Sequence, residues 1–78
     1  MMKTFDVWSD RLYEENPEKF NRCLETVWGN HSRDFGRRSI KDIERFLSLY
    51  FEGEVKVLKV SYGENASNGY PYWRFTIR

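Results

Sequence analysis

His31, Ser32 and Asp34 are the residue types of a hydrolase triad, standing almost side by side in the middle of the chain. Nucleophilic catalysis needs such groups to converge from different parts of a fold, with a base on the nucleophile and a third group orienting the base. Neighbours on one polar stretch read instead as a solvated turn. Glu14, Glu15 and Glu18 could divide acid and base roles between carboxylates. Their place at a junction of two helical patterns makes them an exposed corner, with Glu18 complementing the positive end of a helix. Cys23 and His31 are the only Cys and His, too few for a metal-ligand cluster. The glycines are scattered and form no phosphate-binding fingerprint. The expectation is a protein that is not an enzyme, with no catalytic residues, no metal and no cofactor.

Binding chemistry is better represented. The stretch from Trp28 to Lys41 interleaves Trp28, His31 and Phe35 with Arg33, Arg37, Arg38 and Lys41. Ring faces and guanidinium groups together can hold bases and phosphates, and can equally hold acidic protein. A second set comes from the end of the chain, where Tyr70, Tyr72, Arg74 and Arg78 share the side opposite Trp73, Phe75 and Ile77. Tyr and Arg are enriched where proteins meet, because they combine contact area with directional hydrogen bonds. If this strand is an edge, it could also pair with a partner's strand or with a second copy, giving a homodimer.

The elements that must position these groups are written in the apolar spacing. Ile40, Ile43, Phe46, Leu47, Tyr50 and Phe51 recur at three and four, which places them on one face of a helix over Ser39–Gly53. Ser39 caps its start and Gly53 supplies a left-handed stop. Phe20, Cys23, Leu24, Val27 and Trp28 give a preceding helix with Asn16 as cap, Pro17 at its first position and Gly29 closing it. Cys23 lies in that stripe and should be buried. A first helix is expected over Phe5–Glu15, capped by Thr4; the competing reading makes Lys3–Val7 a short strand, since Phe5 and Val7 also alternate. Phe35 is the anchor of an otherwise polar loop over Asn30–Arg38.

After Gly53 the pattern turns to strand. Val55–Tyr62 is rich in β-branched residues, with a slip of alternation at Val57-Leu58 that a bulge would explain. Tyr70–Arg78 returns antiparallel after a polar turn containing Asn68-Gly69, with Leu58 opposite Phe75 and Val60 opposite Trp73. Pro71 lacks a donor and belongs on an outer edge.

Size and composition set the limits. A chain of 78 residues holds one domain and one core. Six Phe, five Tyr and three Trp exceed what that core can hide, so some rings should face solvent. A net charge of +1 argues against a strongly basic nucleic-acid protein. One cysteine, no apolar run of membrane-spanning length and no leader-like apolar start lead to the expectation of a cytoplasmic protein that does not engage membranes. Asn65-Ala66-Ser67 matches a glycosylation pattern but reads as a polar turn.

These observations converge on an α+β domain over residues 1–78, with two or three N-terminal helices followed by a C-terminal antiparallel β-hairpin packed on the central helix. The expected function is a small non-enzymatic protein-binding module, a regulator or inhibitor, working through Tyr70, Tyr72, Arg74 and Arg78. Its size would suit the compact accessory proteins of phages and mobile elements, although no motif specifies that setting. The alternative is a nucleic-acid-binding protein using Trp28, His31, Arg33, Arg37, Arg38 and Lys41 in a winged-helix-like arrangement. Against that stand Asp42, Glu44 and Glu52 on the would-be recognition helix.

Overall fold

The computed structural model describes residues 3–64 and 71–78, with Glu64 and Pro71 described for their backbone only. The Asn68-Gly69 turn and Tyr70 lie outside the described residues. The chain runs β1 (Phe5–Trp8), α1 (Ser9–Glu15), α2 (Pro17–Trp28), a 3-10 turn (Phe35–Arg37), α3 (Ile40–Phe51), β2 (Val57–Glu64) and β3 (Pro71–Ile77). It is an α+β fold in which three helices cover one face of a three-stranded antiparallel sheet of order β1-β3-β2.

The helix boundaries follow from local chemistry. Asn16 Oδ1 accepts the Lys19 N–H at 3.1 Å to start α2, and Gly29 ends it at φ 75°. Ser39 Oγ accepts the Asp42 N–H at 3.2 Å to start α3. The stop of α3 comes one residue earlier than expected: Glu52, not Gly53, takes the left-handed conformation (φ 57°), and the Gly53 N–H then reaches back to Ser48 O at 3.1 Å. Glu52 is held there by Lys19 Nζ at 2.7 Å, an ion pair that ties α2 to the end of α3 and keeps the Glu52 carboxyl below its usual range.

The Thr4-capped helix does not form. Phe5–Trp8 is a strand instead, paired with β3 as Phe5 with Ile77, Asp6 with Thr76, Val7 with Phe75 and Trp8 with Arg74. Tertiary pairing outweighs the local cap, because backbone groups of β3 need partners on both sides. The helix begins only at Ser9, whose buried hydroxyl does not cap it but accepts the Trp73 N–H at 2.9 Å, continuing the ladder where β1 stops. β3 is therefore the central strand rather than an edge, and the edges of the described sheet belong to β1 and β2. Pro71 sits at the first position of β3, beyond the reach of β1.

The bulge lies where the alternation slips. Val57 pairs with Ile77 and Lys59 with Thr76, so Leu58 is the extra residue. One inserted residue reverses which side faces in, which buries Val57 (6% exposed) and turns Leu58 out (44%). The rest of the ladder is displaced by two from the expected register, with Val60 opposite Phe75 and Tyr62 opposite Trp73. α3 fixes the lead-in to β2: Ser48 Oγ accepts the Val55 N–H and Glu44 Oε2 accepts the Val57 N–H.

Between the layers Phe20, Leu24, Phe35, Ile43, Phe46, Leu47 and Phe75 are fully buried. Phe20 is the hub, meeting Tyr13, Phe35, Phe46 and Tyr50 edge-on. Cys23 is buried with a raised pKa owing to burial, as an inert core thiol should be. Ile40 and Phe51, at the two ends of α3, fall outside this core and are exposed. No helix among the described residues is long and apolar enough to cross a membrane.

The Tyr50 hydroxyl donates to Leu12 O at 2.7 Å inside the core. Burial, helped by Glu15 and Cys23, raises its pKa above the ordinary value. The neutral phenol is the form that folds, so its contribution is complete below about pH 10 and is lost as pH rises through the folded-state pKa. Tyr50→Phe should cost about 1 kcal/mol at neutral pH and flatten the loss of stability on the alkaline side. Urea unfolding at pH 7 and above pH 10 checks both; an unchanged alkaline slope in Tyr50→Phe refutes the assignment.

Candidate interaction surface

In an antiparallel ladder, residues directly opposite one another share a face. Phe75, Ile77, Val57, Val60 and Val7 pack against the helices, so the positions alternating with them form the face that no described helix covers. Pairing sorts that face into rows about 7 Å apart along the strands. One row is Asp6, Thr76 and Lys59; the next is Trp8, Arg74 and Ser61; the third is Tyr72 beside Gly63. Arg78 and Lys56 exchange backbone hydrogen bonds at the far end.

The expected set Tyr72, Arg74 and Arg78 does lie together on this face, joined by two residues that sequence reasoning missed, Trp8 and Lys59. Trp8 is 37% exposed and stands opposite Arg74. The signal for it was the strand alternative at Lys3–Val7; read as a helix, the same stretch sends Trp8 inward. The Tyr72 ring lies so close over Gly63 that a β-carbon built there would stand 2.7 Å from its Cζ. Glycine is what lets the ring lie across the neighbouring strand. The lone carboxylate among the described strand positions of this face, Asp6, is tied by the Thr76 hydroxyl at 2.8 Å. Lys59, Arg74 and Arg78 are exposed and form no ion pair or ring contact among the described residues.

The loop from Trp28 to Lys41 is arranged differently. Arg33 stacks on the Tyr13 ring with 3.8 Å from Cζ to centroid, and Arg38 stacks on Trp28 at the same distance. Arg38 also donates to Asn30 Oδ1 at 2.8 Å, and partial burial lowers its pKa against the pull of Asp34. His31 meets Glu25 at 3.1 Å and Arg37 meets Asp34 at 3.2 Å. Trp28 packs against the core, and its indole N–H, like Arg38 Nη1, is buried without a hydrogen-bond partner among the described residues. Lys41 is apart from these, bordering an open groove of about 630 Å³ with Arg45, Leu49, Val55 and Lys56. Gly36 lies under the Trp73 ring, which a β-carbon there would meet at 2.4 Å.

The triad-like residues do not converge. Ser32 Oγ accepts the Asp34 N–H at 3.3 Å, a local turn bond, while His31 turns to Glu25. Glu14, Glu15 and Glu18 are exposed at the α1–α2 corner. Among the described residues no group of three His, Cys, Asp or Glu could hold a metal ion.

Truncating the ring that covers Gly63 tests this geometry. Tyr72→Ala should cost about 0.2–1 kcal/mol as a lost cross-strand pair, and should move the Gly63 α-proton resonances downfield as the ring current disappears. Unchanged Gly63 resonances would show that the ring does not lie there. Compared with protein-family models, curated proteins and solved structures, the chain matches none, so a functional reading rests on this surface.

Proposed function

We propose that the chain is a small non-enzymatic binding module that docks another protein on the open face of its sheet, as a regulator or inhibitor would. The observation that carries this is one-sidedness: the described helices all pack on one face, and the other holds Trp8, Tyr72, Arg74 and Arg78. A solvated sheet face is ordinarily polar. Rings and guanidinium groups together on a bare face are the composition of binding hot spots. The nucleic-acid reading of the loop draws less support, because Arg33 and Arg38 are engaged with rings of the chain itself and Arg37 and His31 with its acids.

The test is capture from an extract of the native host, repeated after nuclease treatment. A protein retained by the wild-type chain should survive the nuclease. Paired substitution Tyr72→Ala and Arg74→Ala should weaken its retention more than tenfold, about 1.4 kcal/mol or more, while Arg37→Ala with Lys41→Ala should leave it unchanged. Loss on nuclease treatment, or sensitivity only to the loop pair, would overturn the proposal.

A further inference from the structure

Resting on the reading of the open face as the docking surface, the geometry points to the chemistry of the partner: we infer a protein surface rich in Asp and Glu carboxylates, with one apolar side chain for Trp8. Lys59, Arg74 and Arg78 stand on adjacent rows of the face, and Lys56 is paired with Arg78 at its end. Among the described residues nothing pairs with the side chains of Lys59, Arg74 and Arg78. The facing carboxylate, Asp6, is on the β1 side and already accepts from Thr76. The face is thus divided, with cations along β2 and β3 and an exposed indole at the end of β1.

Such a stripe fits carboxylates about 7 Å apart, the spacing of alternate side chains on a partner strand. Arg74, between the rows of Tyr72 and of Lys59, offers a planar fork for a bidentate carboxylate pair. A single-stranded nucleic acid could also use rings and cations, and the Tyr72 ring laid over Gly63 would suit a base. Two features favour the acidic protein. Asp6 occupies the same side of the face as Trp8, so the phosphates flanking a base stacked on that indole would meet a carboxylate. The net charge of +1 also supplies no broad positive field.

The experiment titrates the isotope-labelled full chain with poly-L-glutamate and, separately, with a single-stranded dT12, following amide shifts at low and physiological salt. In parallel, the host protein captured above is tested against two variants. One carries Lys59→Gln, Arg74→Gln and Arg78→Gln; the other carries Trp8→Ala and Tyr72→Ala, with Tyr72→Ala alone as the variant to use if the double one does not fold. Poly-L-glutamate should shift the amides of Lys59, Ser61, Arg74 and Thr76, with half-saturation at least fivefold below that of dT12. The charge variant should lose at least tenfold in affinity for both poly-L-glutamate and the host protein. Tighter binding of dT12 on the same residues, shifts centred on residues 31–41, or no shifts with either polymer would overturn the inference. If the ring variant loses the host protein while the charge variant keeps it, the docking face stands and the acidic partner falls. If both variants keep it, the docking face itself falls.

Discussion

The N–H groups of β3 alternate between two neighbours, and the structure depends on both being present. Arg78 donates to Lys56 on the β2 side, while Trp73, an odd-numbered position, donates to Ser9 on the β1 side. By that alternation Phe75 and Ile77 also turn their N–H groups toward β1. Both side chains are buried in the core. Without β1 those donors would lie next to the core unpaired, at about 1–3 kcal/mol each. The entropy of joining the two ends of the chain grows only logarithmically with the intervening length, so satisfying these donors can outweigh a Thr cap on an isolated helical turn. The same pairing decides the surface: once Val7 lies opposite Phe75, Asp6 and Trp8 must face away from the helices.

The core supplies the complementary constraint. Its rings gather around Phe20 on one side of the sheet, drawn from α2, the 3-10 turn, α3 and β3. Among the described residues the helices cover one face of the sheet and none lies on the other. Trp8 and Tyr72 are consequently not surplus core residues pushed outward by crowding; alternation places them on the uncovered side. Tyr62 differs: it shares the helix-facing side with Trp73 and touches it edge-on at 4.9 Å, yet is 58% exposed.

Much of this was legible in the residues. Ser39, Asn16 and Gly29 act as caps because their chemistry is local, and the paired apolar residues at Val57-Leu58 announced a bulge for the same reason. Phe35 as an anchor followed from one apolar ring in a polar stretch. What failed depended on distant partners. Nothing near Phe5 says that Ile77 will lie beside it, and the final strand reads as an edge so long as the N-terminus is taken as helical. The register error has a similar origin: parity came from alternation, but the displacement by two was set by where the bulge let Val57 meet Ile77. Gly53 was the obvious left-handed residue by type, and Glu52 took that conformation with Lys19 bonded to its side chain.

The two candidate surfaces show why residue type cannot by itself separate internal from external recognition. Arg33 over Tyr13 and Arg38 over Trp28 have the ring-and-guanidinium composition expected of a binding site, and here that chemistry is completed within the chain. A stacked guanidinium has gained a ring, and Arg38 is partly buried as well; offering either to another molecule would mean breaking that contact first. Among the described residues Arg74 carries the same group without such a commitment, between rows that bear Tyr72 and Lys59 on a face that no described helix covers. Composition in the sequence favours the loop, where the cations are densest, whereas unsatisfied interaction capacity in the fold favours the sheet. Recognition draws on capacity that folding has left over, and in this chain Arg33 and Arg38 are already stacked on rings while Arg37 and His31 are paired with acids.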